Sequence, residues 1–195
     1  MLGIFDRRER TKELRFTQGT FEANLFAIVS KKVPKADAAQ LRAEPESMLV
    51  VAAAAYAVSS VETCVKSGRK FHSRQDLVAV AHCALAALAT SRDLLGLPAQ
   101  EPLDRRSRIY GVVMPTAKWL YGHNASDDLI WKVCDVAIRG AQAGGANMRQ
   151  VNTAFSEDFQ DYVLTRGRMG TAFLAKYLRL LDEAYARTVR HGEFP

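Results

Sequence analysis

Residues 73–95 read SRQDLVAVAHCALAALATSRDLL. Ser73 and Asp76 stand at capping-box spacing, in which a serine hydroxyl accepts from the backbone N–H three residues on while the acid reaches back to the cap. Behind them the chain from Ala79 to Ala89 is Ala-rich and, apart from His82, apolar. That suits a helix enclosed by other helices and not a half-buried strand, whose side chains would alternate. Gly96 and Pro98 supply a stop, so a helix is expected from Arg74 to about Leu95.

Residues 46–66, ESMLVVAAAAYAVSSVETCVK, have the same character, and Pro45 suits the first turn of a helix. The two stretches are joined by a short loop containing Gly68, which predicts an antiparallel pair of Ala-rich helices with close backbones. Upstream, Phe21, Leu25, Ile28 and Val29 share a helical face with Thr20 as the expected cap, and Pro34 to Pro45 leaves room for one short helical turn capped by Asp37.

Downstream, a helix is expected from Asp104 to Tyr121, kinked or restarted at Pro115, with Tyr110, Val113, Trp119 and Leu120 as its apolar contribution. Ser126-Asp127-Asp128 opens another, whose face is Ile130, Val133, Cys134, Ala137 and Ala141 and which Gly144-Gly145 closes. Asn152 or Ser156 begins a segment carrying Phe155, Phe159, Tyr162 and Val163 that Gly167 breaks, and a last helix places Phe173, Leu174, Tyr177, Leu178, Leu181 and Val189 on one face. The expected fold is all-α: a single-domain bundle of about six or seven helices over residues 20–195, with the two Ala-rich helices central, preceded by a basic amphipathic arm over residues 1–19.

The 195 residues suffice for one domain with its own core, and 48% apolar with 25% charged residues is the balance of a globular chain, not a disordered one. Lys and Arg number 27 against 21 Asp and Glu, giving a net charge of +6 and a pI near 9.4. Acidic partners are mildly favoured, but the cations are interleaved with acids, whereas nucleic-acid modules concentrate them in a stripe. The longest wholly apolar run, Met48 to Val58, is 11 residues, short of the roughly 18 that suggest a membrane span. Met1 to Phe5 turns charged at Asp6, which leaves no room for the apolar stretch of a secretory signal. A cytoplasmic protein, peripheral to a membrane at most, is expected, with Cys64, Cys83 and Cys134 as buried free thiols.

Chemical constellations are sparse. The histidines are His72, His82, His123 and His191; no two have the i, i+4 spacing of a metal pair, and no metal site is expected. His72 before Asp76 and His123 before Asp127 straddle helix starts, where capping explains the acids. His82 interrupts an apolar run, which makes it either a core histidine bonded to a neighbouring helix or the one candidate for a catalytic role. Cys64, near Lys66, comes nearest to an activated thiol. There is no phosphate loop and no dinucleotide fingerprint, so no cofactor is expected.

Two basic clusters remain as an interaction surface. The first is Phe5, Arg7, Arg8, Arg10, Lys12 and Arg15 in the arm; the second is Arg105, Arg106 and Arg108 with Tyr110. The first reading is therefore a non-enzymatic protein–protein interaction or adaptor protein that docks through its basic arm. A nucleic-acid-binding regulator is the alternative, and a small enzyme using buried His82 the third. A protein partner is expected; nucleic acid, an anionic membrane surface and a second copy of the chain are left open.

Overall fold

The computed structural model describes residues 17–68, 70, 74–143 and 145–168. Among them are seven α-helices, one 3-10 turn and no strand. In chain order they are α1 (Gln18–Lys32), α2 (Lys35–Leu41), α3 (Pro45–Lys66), α4 (Arg74–Leu94), α5 (Pro102–Tyr121), the 3-10 turn Gly122–Asn124, α6 (Asp127–Ala143) and α7 (Gly145–Leu164). The protein is an all-α helical bundle. The arm residues Phe5, Arg7, Arg8, Arg10, Lys12 and Arg15, the expected cap Ser73, the histidines His72 and His191, and the expected last helix lie outside the described residues.

Helix α4 is the hub, packed against α3, α5, α6 and α7. From Leu77 to Leu88 every side chain except the half-buried Leu85 is buried. Helix α3 lies beside it and also packs on α1 and α5, its contact with α5 being the most extensive between any two helices. Helices α3 and α4 are both long and apolar enough to cross a membrane by length and composition, which the count of strictly apolar residues did not register; well over half of each apolar window is buried inside the bundle, as expected of core helices.

Several helix ends differ from expectation. Thr17, not Thr20, caps α1: its hydroxyl accepts from the Thr20 backbone N–H at 3.2 Å. Helix α2 begins one residue after Pro34, so Asp37 sits inside its first turn. Helix α5 starts at Pro102 and runs through Pro115 without a restart. Helix α7 starts at Gly145, well before Asn152, so Gly145 opens a helix and does not close one. Trp119 is 47% exposed instead of joining the core. The Ser126 cap is as expected, its hydroxyl accepting from the Leu129 backbone N–H at 3.2 Å.

Helix α4 ends in a Schellman turn: Leu97 N–H bonds the Arg92 carbonyl and Gly96, at φ 63°, bonds the Asp93 carbonyl, both at 3.1 Å. Helix α7 ends the same way with Arg166 in the left-handed position at φ 52°. Its side chain compensates by donating from Nε to Asn24 Oδ1 at 2.8 Å, which ties α7 to α1.

Gly111 sets the close approach of α5 to α3, because a Cβ there would stand 3.0 Å from Val50 Cγ1. Gly111→Ala should change stability little, since roughly 1 kcal/mol of helix propensity offsets the tight contact. Gly111→Leu should cost about 1–3 kcal/mol, and Val50→Ala in the same chain should return part of that loss. Urea denaturation of the two single variants and the double variant measures the coupling.

Candidate functional site

Consecutive residues of a helix are turned by about 100°, and this splits the Arg105 to Tyr110 cluster into three directions. Arg105 and Ile109 line a cleft against the end of α4. Arg106 and Tyr110 face Trp131 on α6. Asp104, Ser107 and Arg108 line a groove of about 400 Å³ beside Leu41, Val50 and Val51.

The cations are also mostly engaged. Arg106 Nε lies 2.9 Å from Asp135 Oδ1. Glu46, in the first turn of α3, uses both carboxylate oxygens: Oε1 takes Arg92 Nη1 at 2.8 Å and Oε2 takes Arg108 Nη2. Arg92 Nη2 donates in addition to the Pro98 carbonyl. One acid thus joins the start of α3, the last turn of α4 and the first half of α5. Arg105 alone in its run has no carboxylate partner among the described residues.

Helix α6 presents Asp127, Trp131 and Asp135 in one i, i+4 row, and α5 meets it with Arg106 and Tyr110. Tyr110 stacks on Trp131 with ring centroids 4.4 Å apart and planes 17° from parallel. The Arg106 guanidinium lies 4.8 Å from the Trp131 ring centroid. Tyr110 donates its hydroxyl to Asp127 Oδ1 at 2.7 Å, which holds the phenol pKa above its usual value. The central three side chains are partly exposed. Each contact is worth only about 0.5–1.5 kcal/mol, but together they hold an Arg, a Tyr and a Trp in one arrangement at the surface. Trp131 and Asp135 were not among the residues singled out from sequence, and Asp127 was noted only as an acid at a helix start; the signal was their i, i+4 spacing, matched to that of Arg106 and Tyr110.

The cleft beside Arg105 has a volume of about 570 Å³, within the range of about 300–1,000 Å³ typical of small-molecule sites. Leu85, Leu88, Ile109 and Ile138 form apolar wall, and Gln100 and Asn152 border it. Gln100 Nε2 and Asn152 Oδ1 are each buried without a hydrogen-bond partner among the described residues. They come from the α4–α5 connection and from α7, so nothing in the sequence marks them as neighbours.

His82 is completely buried and lines neither cleft. Burial pushes its pKa down to about 4, so at neutral pH the imidazole is uncharged. His123 is exposed in the 3-10 turn. All three cysteines are buried and none is in a disulfide among the described residues. Burial pushes the Cys83 thiol well up and the Cys134 thiol to about 12, which disfavours thiolate. Cys64 is buried while Lys66 is exposed, so the two do not form an activated pair.

Tyr56 on α3 donates to Asp158 Oδ2 on α7 at 2.5 Å, and its ring makes edge contacts with Phe159 and Tyr162, each at 5.3 Å between centroids. Burial raises the pKa of both partners, while the tyrosine's hydrogen bond pulls that of Asp158 the other way. Among the described residues no group of three or more His, Cys, Asp or Glu is placed to hold a metal ion. Compared with known protein families, with curated proteins and with solved structures, the chain matches none.

Two outcomes are expected. Tyr56→Phe should destabilise the fold by about 1–3 kcal/mol, because the Asp158 carboxylate loses its buried donor. His82 is harder to protonate folded than unfolded, so its contribution is complete above the unfolded value of 6.5 and is lost as pH falls towards about 4. The shift corresponds to ~3 kcal/mol, and His82→Gln should remove that part of the slope when denaturation midpoints are measured from pH 7.5 to 4.

Proposed function

We propose that this protein is a non-enzymatic, cytoplasmic interaction or adaptor protein that binds a protein partner through the α5–α6 face. The observation that carries this reading is the stacked row of Arg106, Trp131 and Tyr110, pinned at its ends by Asp135 and Asp127. Arg, Trp and Tyr are the residue types that dominate binding energy at protein interfaces. Side chains already fixed before binding lose little further entropy when a partner covers them. The basic arm, with Arg7, Arg8, Arg10, Lys12 and Arg15, adds electrostatic attraction for an acidic partner in the same reading.

Protein is favoured over nucleic acid by the ion pairs. Phosphate would have to compete with Asp135 for Arg106 and with Glu46 for Arg108, and the three arginines point in different directions. The buried, uncharged His82 favours a structural role over acid–base chemistry, which needs a group that reaches substrate and titrates near the working pH.

The test is affinity capture from the protein's own cells, with and without nuclease, using wild type and Trp131→Ala in parallel. A nuclease-resistant protein recovered in stoichiometric amount by wild type, and at least about tenfold less by Trp131→Ala, is the expected result. Equal recovery by both proteins sinks the assignment of the face. Nuclease-sensitive, steeply salt-dependent recovery replaces the reading with nucleic-acid binding.

A further inference from the structure

The cleft between the end of α4, the α4–α5 connection, α5, α6 and α7 combines features that the protein-interaction face does not use. Its apolar wall includes Leu85 and Leu88 of α4, Ile109 of α5 and Ile138 of α6. Arg105 borders it with no carboxylate partner among the described residues. Gln100 Nε2 brings an unused donor and Asn152 Oδ1 an unused acceptor, both buried.

Buried polar atoms almost always have partners, and leaving one unmade costs about 1–3 kcal/mol. Here the residues that carry two such atoms, from distant parts of the chain, both line the same cavity of about 570 Å³. A cluster of that kind is what a ligand or ordered water completes. The charge at the site selects the ligand's sign. Arg92, also in the lining, is paired with Glu46, a carboxylate that Arg108 shares, and Asp93 in the same lining is exposed, where water and salt screen it. Arg105 therefore gives the cleft a positive charge with which no carboxylate among the described residues pairs.

We propose that this cleft binds a small amphiphilic carboxylate that carries a hydroxyl group. Arg105 and Gln100 Nε2 donate to the carboxylate, Asn152 Oδ1 accepts from the hydroxyl, and the Leu85, Leu88, Ile109 and Ile138 wall covers the hydrocarbon. Arginine suits this role because its planar guanidinium matches the two oxygens of a carboxylate. The site is separate from the α5–α6 face, since Arg105 and Arg106 leave the helix in different directions.

The experiment is a titration of the isotope-labelled full chain with octanoate, 3-hydroxyoctanoate, octanol and octylammonium, followed by NMR at the Gln100 and Asn152 side-chain amides and the Arg105 Nε–H. Octanoate should shift these resonances saturably with a Kd of about 1 mM or tighter, and 3-hydroxyoctanoate should bind about 3–10-fold more tightly through the added hydrogen bond. Arg105→Gln, at a partly exposed helix position, should weaken octanoate by about tenfold with the rest of the spectrum unchanged. Asn152→Leu should erase the advantage of the hydroxyl acid. The proposal is overturned if octanol or octylammonium binds as tightly as octanoate, if Arg105→Gln leaves binding unaltered, or if none of the probes shifts these resonances saturably.

Discussion

Enclosing α4 on all sides is the constraint from which the remaining geometry follows. A helix can be wrapped by four others only where its side chains are short enough for the neighbours to close over it, and the alanines from Ala79 to Ala87 provide that. Its backbone hydrogen bonds are internal, so burial leaves no peptide group unsatisfied along the helix, and the cost of burying polar atoms is confined to a few side chains such as His82, Ser91 and Arg92. The same logic operates between α3 and α5, where Gly111 lets Val50 come within a distance that a larger residue would not allow.

Glu46 links the helices in the rotation that packing gives them. A partly buried carboxylate shared by Arg92 and Arg108 is geometrically demanding, because removing either guanidinium weakens the compensation of a charge already withdrawn from water. With Arg108 directed at α3, helical periodicity sends Arg106 and Tyr110 towards α6 and Arg105 towards the cleft. The rotation of α5 thus separates two surfaces that are contiguous in sequence.

Those surfaces differ in kind. The α5–α6 face is a row of large side chains satisfied by one another, which suits contact with another surface. The cleft beside Arg105 is concave, with apolar wall and polar atoms left unsatisfied, which suits a small molecule. His82 contributes to neither; it adds a pH-sensitive term to the stability of the hub helix.

Helix identity came from local chemistry: the uniform apolarity of α3 and α4, the Ser126 cap and the stops at Gly96, Gly122 and Gly167 act within a few residues of themselves and can be read from spacing alone. Local signals were ambiguous where several caps competed, so Thr17 displaced Thr20, and Gly145 opened a helix in place of closing one. A run of cations beside an aromatic residue is also legible within a few positions, which is why Arg106 and Tyr110 were picked out together with Arg105 and Arg108. Their engagement with Trp131 and Asp135, the sharing of Glu46 by two arginines, and the meeting of Gln100, Arg105 and Asn152 around one cavity depend on how α5, α6 and α7 are rotated and spaced around α4. That rotation is set by the packing of many side chains at once, so it belongs to the assembled bundle and to no stretch of chain within it.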